Sequence, residues 1–139
     1  FPGETEGDFA ETLEVMKEVK FAKVHMFPYS ERARTRAALM PNKVSSEVIK
    51  SRKQQVLRLS EQMAFELREQ FVGRRMTILT ENLDPSRPDE ISGHTENFLM
   101  VWIPKQSYGP NEIVEVDLIA NTPDGLIGSV GETKACCAS

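Results

Sequence analysis

The stretch Glu112-Ile113-Val114-Glu115-Val116-Asp117-Leu118-Ile119 decides the fold class of the second half of the chain. Apolar and charged residues alternate along it, as in a β-strand that turns one face to a core and the other to solvent. Further short strands are predicted at residues 76–79, 98–103 and 126–130, separated by turn sequences that contain Gly and Pro. Short strands at this spacing predict a small antiparallel β-barrel.

Apolar residues with the spacing of an α-helix precede the predicted barrel. Apolar residues recur there at spacings of three, four or seven, at Ile49, Val56, Leu59, Met63, Leu67 and Phe71. This pattern predicts one long amphipathic helix, which Ser45 or Ser46 can cap and which Gly73 can end. We therefore divide this part of the chain into a connecting helix at residues 43–73, a barrel at residues 74–132 and a tail at residues 133–139.

The first part of the chain mixes helix and strand patterns. Thr5 and Asp8 have the spacing of a helix capping box, and the apolar spacing after them predicts a helix from about Glu6 to Val19. The apolar run at residues 21–27 is short and ends before a proline, so we predict a strand there. The loop that follows is predicted to contain one helical turn near residues 35–39. The whole chain is therefore predicted to be α+β.

Composition and charge limit the class of protein. The 139 residues are 40% apolar and 27% charged, which is a globular composition. No apolar run is long enough for a membrane span and no secretory signal pattern is found, so we expect a cytoplasmic protein without a membrane partner. The net charge of −4 divides into −1 for residues 1–42, +4 for residues 43–75 and −7 for residues 76–139. The basic middle mildly indicates an anionic partner, and a solvated basic helix face explains it at least as well.

Few residues indicate catalysis. His25 and His94 lie in different predicted strands without a partner at ligand spacing, so a structural role is favoured for each. Cys136 and Cys137 are adjacent in the tail, which excludes a disulfide framework and an internal cysteine-rich metal site. Residues 1–5 predict a turn into a capped helix rather than a phosphate-binding loop. The residues alone therefore identify neither a catalytic group nor a metal site.

The predicted barrel is more suggestive of binding. Small barrels of this type often bind nucleic acid through polar and aromatic side chains, and Gly93-His94-Thr95-Glu96-Asn97-Phe98 places several hydrogen-bonding groups beside a ring. Phe98 and Trp102 are an even number of positions apart, so a continuous strand would place both side chains on the same face. Packing in the core is the alternative role for both. The candidate RNA-binding residues, which would need to meet at one edge, are Arg32, Arg34, Arg36, Arg74, Arg75, His94, Asn97 and Lys105. The excess negative charge counts against binding through phosphates alone.

Two sets of residues resemble the radical-SAM methylthiotransferases. The first comprises Phe1-Pro2-Gly3-Glu4-Thr5, His25-Met26-Phe27-Pro28-Tyr29-Ser30-Glu31-Arg32 and Thr35-Arg36-Ala37-Ala38. The second comprises Gly93-His94-Thr95-Glu96-Asn97-Phe98-Leu99 and Asp124-Gly125-Leu126-Ile127-Gly128, and it resembles the TRAM domain that closes these enzymes. Together with the long helix they cover nearly all of residues 1–131 in the family's order, and such a combined match is specific.

The resemblance implies both a fold and a function. Residues 1–42 would be the C-terminal end of a radical-SAM (β/α) barrel, and the small barrel would be an OB-like TRAM domain that binds RNA. The chain begins at Phe1 without Met, and we expect it to be a piece of a longer enzyme. Members of the family attach a methylthio group to a modified adenosine beside the tRNA anticodon, or to an aspartate of a ribosomal protein. Residues 25–38 look most like the branch that acts on threonylcarbamoyladenosine.

The resemblance also implies cofactors and partners. The family uses [4Fe–4S] clusters and S-adenosylmethionine, but the CxxxCxxC motif that binds the catalytic cluster is absent here. This piece is therefore expected to hold no cofactor and to be inactive by itself. Pro28, Tyr29 and Ser30 would lie on the S-adenosylmethionine side of the intact barrel, and Arg34 stands where the family typically has a glycine. The expected partners are the tRNA anticodon stem-loop and the rest of the enzyme's own chain.

Two further expectations concern contacts with protein. In the alternative function, the acidic barrel docks on a protein, as in a ribosomal-protein methylthiotransferase, and charges such as Glu115 and Asp117 motivate it. In addition, a strand at residues 21–27 cut from a larger sheet would have an unpaired edge. We expect that strand to be disordered, docked on the long helix or paired with a second copy of the chain.

Overall fold

The computed structural model describes residues 1–106 and 108–131. The chain divides into two compact units, Phe1–Ala64 and Phe65–Ser139. The predicted tail with Cys136 and Cys137 lies outside the described residues. Within the residues that are described, no helix combines the length and the apolar character needed to cross a membrane.

Helix α1 spans Glu6–Val19 and begins with the predicted capping box. The backbone N–H of Asp8 donates to the hydroxyl oxygen of Thr5 over 3.2 Å, and the backbone N–H of Thr5 donates to the Asp8 carboxylate over 2.8 Å. Each side chain thus satisfies a backbone donor that the first helical turn leaves without a partner. Phe9 and Met16, seven residues apart, form the buried face of the helix.

Helix α2 spans Ser46–Glu69, close to the predicted connecting helix. Val56 and Met63 are again seven residues apart, and they are buried against the two buried residues of α1. These four side chains form the core of the first unit. Between the two helices, a short 3₁₀ turn at Ala37–Leu39 confirms the predicted helical turn.

The prediction of a strand at residues 21–27 is wrong. The segment is neither helix nor strand, and the backbone N–H of Val24 donates to the hydroxyl oxygen of Ser60 on α2 over 3.3 Å. Val24 and Met26 also pack against the core of the first unit. A strand satisfies its backbone groups through a neighbouring strand, and residues 1–64 contain none. Docking on the long helix is the one of the three expected outcomes that the structure shows.

Five strands close into a small barrel in the second unit, which confirms the α+β fold class. They are β1 Arg75–Asn82, β2 Glu90–Thr95, β3 Met100–Pro104, β4 Ile113–Thr122 and β5 Gly125–Ser129. Their spatial order is β1-β2-β3-β5-β4. Four neighbouring pairs are antiparallel, as predicted, whereas β3 and β5 run parallel. The sequence predicts bounds for four of these strands; it places His94 in a candidate strand but assigns no bounds to β2.

No bounds are predicted for β2 because its sequence is a weak strand signal. It contains glycine, serine and histidine, which form strands less readily than β-branched residues. The structure needs the glycine, since a Cβ on Gly93 would lie 2.5 Å from the carbonyl oxygen of Leu79 on β1. The pairing of β1 with β2 also shifts register just beyond this point, between Thr80 and Asn82.

The barrel core is built from side chains that alternate along the strands. Four of its members have no exposed surface, namely Ile91, Val101, Ile103 and Leu126. Residues from the end of α2 and the turn after it pack against this core, at Leu67, Phe71 and Val72. Leu67 and Phe71, the last two residues of the apolar pattern that predicted the helix, therefore pack on the barrel core.

Phe98 and Trp102 do not share a strand face, so this prediction is wrong. Phe98 lies in the turn before β3, where strand parity no longer applies, and it is 84% exposed. Trp102 is buried but alternates with Val101 and Ile103, so it packs on the outside of the barrel core. The guanidinium carbon of Arg87 lies 4.5 Å from the ring centroid of Trp102 and covers it.

Candidate nucleic-acid interface

The turn between β2 and β3 is fixed by hydrogen bonds around Thr95. The backbone N–H of Thr95 donates to the carbonyl of Leu99 over 3.0 Å, and the backbone N–H of Leu99 donates to the Thr95 hydroxyl oxygen over 2.9 Å. The backbone N–H of Phe98 donates to the Thr95 carbonyl over 2.9 Å. The Thr95 hydroxyl donates to Asn97 Oδ1 over 2.6 Å. Because Thr95 is buried, these bonds anchor the turn to the end of the barrel.

Phe98 is the exposed residue of this turn. Its φ of 62° lies in the left-handed region, which costs a residue other than glycine roughly 1–2 kcal/mol. The residue is 84% exposed, so its side chain gains little from packing. Neither local backbone preference nor the barrel core explains a phenylalanine at this position.

A groove of about 310 Å³ lies beside the turn. Its lining residues are Phe71, Arg74, Arg75, Met76, Thr77 and Glu96. Glu96 belongs to the turn, and the pairing of Ile78 with Thr95 places the start of β1 next to it. Arg74 is exposed, and its guanidinium carbon lies 5.0 Å from the ring centroid of Phe71. The groove thus combines a cation that stacks on a ring with polar side chains that can form hydrogen bonds.

Arg75, the other cation of the groove, is paired with a carboxylate. Its Nε and a terminal nitrogen donate to the two carboxylate oxygens of Asp117, both over 2.8 Å. These hydrogen bonds, helped by the positive charge of Arg75, lower the pKa of Asp117 below its ordinary value. The same bonds raise the pKa of Arg75. Within the described residues Arg74 forms no such ion pair, so it is the groove cation available to an anionic ligand.

The other predicted RNA-binding residues of the barrel lie near opposite ends of β3. His94 lies on β2 just before the turn, with its Nδ1 2.8 Å from Glu81 Oε2. Asn97 lies within the turn and accepts the hydrogen bond from Thr95. Lys105 directly follows β3 and is therefore at the opposite end of that strand from the turn. The structure brings His94 and Asn97 to the turn, and it places Lys105 away from it.

Arg32, Arg34 and Arg36 belong to the first unit and lie outside the barrel. All three are exposed. Arg34 has a φ of 66°, a conformation that glycine adopts most easily. The resemblance led us to expect a glycine at this turn, and the backbone keeps the conformation that a glycine would favour.

A cavity of about 380 Å³ lies within the first unit. Pro28 and Tyr29 line it, whereas Ser30 is not one of its lining residues. Arg52 lines it as well, and both the Tyr29 hydroxyl and the Arg52 Nε are buried without a hydrogen-bond partner within the described residues. Arg52 uses its terminal nitrogens for Glu4 and Glu6, at 3.2 and 2.6 Å. These two unpaired polar atoms would suit a small organic ligand with oxygen acceptors.

Sequence reasoning missed the exposure of Phe98 and the participation of Thr77 and Glu96 in the groove. The strand predicted at residues 98–103 includes Phe98, although the polar pair Glu96-Asn97 directly before it is typical of a turn. Thr77 and Glu96 are 19 positions apart in the sequence, and only the register of β1 on β2 brings them together.

Most of the chain is similar to curated methylthiotransferases, although no protein-family model matches it. The relatives are 31–39% identical to the chain over 84–99% of its length. These similarities identify the chain as a C-terminal region of the methylthiotransferase family. It spans 26–30% of the length of the curated relatives that it matches.

Three relatives illustrate the range of the family. The tRNA-2-methylthio-N(6)-dimethylallyladenosine synthase of Thermobifida fusca is 38% identical over 94% of the chain and 28% of its own length. The threonylcarbamoyladenosine tRNA methylthiotransferase MtaB of Bacillus subtilis is 35% identical over 86% of the chain and 27% of its own length. The ribosomal protein uS12 methylthiotransferase RimO of Lawsonia intracellularis is 32% identical over 91% of the chain and 30% of its own length.

Proposed function

We propose that this chain holds tRNA for an enzyme that attaches a methylthio group to a modified adenosine beside the anticodon. The observation that carries the proposal is the groove at the end of the barrel, with Arg74 in it and the exposed Phe98 in the adjoining turn. A cation for phosphates and a ring for bases are the two contacts with which proteins hold single-stranded RNA. The names of two relatives, the Thermobifida fusca and Bacillus subtilis enzymes, refer to tRNA and support the same substrate.

The modified adenosine that we propose is threonylcarbamoyladenosine. The amino-acid sequence of residues 25–38 and the similarity to the Bacillus subtilis enzyme support this substrate. The Thermobifida fusca relative, which is somewhat more similar, makes dimethylallyladenosine the competing substrate. Anticodon stem-loops that carry one or the other modification test this choice in the longer enzyme, since the methylthio product forms only on the correct one.

The whole enzyme would use [4Fe–4S] clusters and S-adenosylmethionine in the cytoplasm. The residues of this chain do not fit a cluster, because its two cysteines are adjacent and no group of three or more metal-binding side chains occurs within the described residues. The donors of Tyr29 and Arg52 would suit the oxygen atoms of S-adenosylmethionine, with Pro28 beside them. We assign this chain no step of the reaction and propose that it binds and orients the RNA.

Direct binding of RNA tests the proposal. An anticodon stem-loop labelled with fluorescein is titrated with the chain, and the anisotropy is followed at two salt concentrations. We expect saturable binding that weakens as salt rises, because phosphate contacts release counterions. A duplex of the same stem without the loop should bind more weakly. Absence of binding, or equal affinity for loop and duplex, contradicts the proposal.

Arg74→Gln tests the groove itself. The substitution should weaken binding of the stem-loop and lower the slope of log K against log salt by about 0.7–0.9, the value for one lost phosphate contact. Arg58→Gln is the matched control, since Arg58 is an exposed arginine of α2 in the first unit. If both substitutions lower the slope equally, only net charge matters and the groove is not the binding site.

A second candidate function has support from two observations. Residues 76–139 carry a net charge of −7, and one relative is named for a ribosomal protein. An acidic barrel that docks on a basic protein would explain both. Purified ribosomal protein uS12 that binds the chain, with no binding of the stem-loop, would favour this function over the first.

A further inference from the structure

Phe98 has a surface position that the fold of the barrel does not require. It is 84% exposed and is absent from the buried cluster that forms the barrel core. Its backbone has a φ of 62°, a conformation in which glycine would be less strained. Strain of this kind points to a function when the surrounding structure enforces it.

The surrounding structure does enforce it. Backbone and side-chain bonds of the buried Thr95 hold the backbone N–H groups of Phe98 and Leu99 on either side of the strained φ. The ring is therefore presented from a rigid turn rather than from a mobile loop. A preorganised aromatic side chain loses little conformational entropy when a ligand stacks on it.

The neighbouring groove indicates what the ligand is. Its lining is mainly polar and charged, and Glu96 of the turn lines it together with Arg74 and Thr77. An aromatic residue that anchors a protein partner usually sits among other apolar side chains. A ring next to a cation and hydrogen-bonding groups instead matches an unpaired base joined to a phosphate.

We propose that Phe98 stacks on an unpaired base of the RNA loop, with the adjoining phosphate at Arg74. This inference rests on the proposed function and deepens it, because it assigns recognition of the loop to one side chain. A base inside a duplex offers no free face for stacking. Phe98 therefore selects single-stranded over double-stranded RNA, whereas Arg74 contacts the phosphate of either.

Phe98→Gly separates binding from folding. Glycine relieves the left-handed backbone, so the midpoint of urea denaturation should rise. Affinity for the anticodon stem-loop should fall roughly 5- to 150-fold, the range for loss of one base–aromatic stack. The salt slope should stay unchanged, because no phosphate contact is removed. Phe98→Tyr and Phe98→Trp keep a ring and should retain the affinity for the loop.

Asn111→Gly is the matched control. Asn111 also has a left-handed backbone, with a φ of 66°, and it lies in the loop between β3 and β4. It should gain stability in the same way without loss of RNA affinity. Leu83→Ala removes another exposed apolar side chain of the barrel unit and should also bind as the wild type does.

A 2-aminopurine placed at each loop position in turn gives a readout specific for stacking. Its fluorescence should change on binding of the wild-type chain at one position, and this change should be lost with Phe98→Gly. If the wild type binds the stem-loop and Phe98→Gly binds it equally well, the inference is overturned while the proposed function stands. If the wild type binds neither loop nor duplex, both are overturned.

Discussion

At the scale of single residues, few cations of the barrel surface are available to RNA. Arg75 is bound to Asp117, and Arg87 to Asp124 over 2.7 Å. These pairs are partly exposed, so each contributes little to stability, but each neutralises a guanidinium that a phosphate could otherwise contact. Under the proposed function, the affinity for RNA would therefore depend on Arg74 more than the number of arginines suggests.

Removing the carboxylate partner of Arg75 should strengthen RNA binding. Asp117→Asn keeps the shape of the side chain but not its charge, so the Arg75 donors become available to a phosphate. We expect severalfold tighter binding and a salt slope that is steeper by about 0.7–0.9. Glu115→Gln on the same strand makes the same change in net charge without breaking the pair. Equal effects of the two substitutions, measured by anisotropy, would contradict this role of Asp117.

The sequence could predict which residues carry charge but not which charges are paired. Arg74 and Arg75 were predicted together as RNA-binding residues, and they do line one groove. Their different availability arises from Asp117, which is 42 positions from Arg75 and meets it only through the register of β1 on β4. No local pattern contains that information.

At the scale of elements, the close approach of β2 to β1 depends on Gly93. A Cβ there would lie 2.5 Å from the carbonyl oxygen of Leu79 and 3.1 Å from the Cα of Thr80. Backbone atoms of a paired strand cannot move away as a flexible side chain can. The pairing of these strands therefore tolerates no side chain at this position.

Gly93→Ala should destabilise the barrel by about 1–3 kcal/mol, the usual range for overpacking. Urea denaturation followed by the fluorescence of Trp102 measures the change, since this side chain is buried on the barrel. Gly131→Ala is the control, because a Cβ there meets no atom within 4 Å, and it should change stability by less than about 0.5 kcal/mol. Equal stability of the two variants would refute the argument.

The start of α1 should make the stability of the first unit depend on pH. Hydrogen bonds from the backbone and hydroxyl of Thr5 lower the pKa of Asp8 below its ordinary value of 3.8. A carboxyl with a lowered pKa stabilises the fold above the unfolded pKa and loses this effect as pH falls through the folded pKa. The protection factors of the α1 amides, which are corrected for the intrinsic exchange rate at each pH, should therefore fall below about pH 4. Asp8→Asn should remove most of this pH dependence, and an unchanged profile would contradict it.

Elements with local signals were predicted best. The bounds of α1 and most of α2 followed from capping residues and from the helical period, which involve neighbours a few positions apart. Residues 21–27 and β2 were not predicted correctly, because a strand exists only beside another strand. The apolar run at residues 21–27 has no such neighbour within the first unit, whereas the polar β2 has one on each side.

At the scale of the whole molecule, the two units have cores of different size. Among the described residues, the core of the first unit has four buried members, whereas the barrel core has nine. Large apolar side chains of the first unit remain exposed, such as Phe27 at 84% and Leu39 at 86%. Because stability scales with the apolar surface removed from water, we expect the barrel to be the more stable of the two units.

Hydrogen exchange measured by mass spectrometry should show this difference. Amides of the barrel strands should exchange slowest, and amides of α1 should exchange at a lower free energy of opening. Ile103→Ala, which removes a fully buried side chain of the barrel, should accelerate exchange in the strands by the equivalent of about 2–5 kcal/mol. Protection of α1 equal to that of β3 in the wild type would contradict the prediction.

The place of β5, between β3 and β4, also determines when the barrel can form during synthesis. β5 is the last strand along the described chain, and it fills the gap between β3 and β4. The ribosome must therefore release residues 125–129 before the ring of hydrogen bonds is complete. Until then, the edges of β3 and β4 that pair with β5 have unsatisfied backbone groups. A nascent chain stopped before Gly125 would be a four-stranded open sheet prone to aggregation. The barrel therefore cannot close before β5 is available, even though its first strand begins at Arg75.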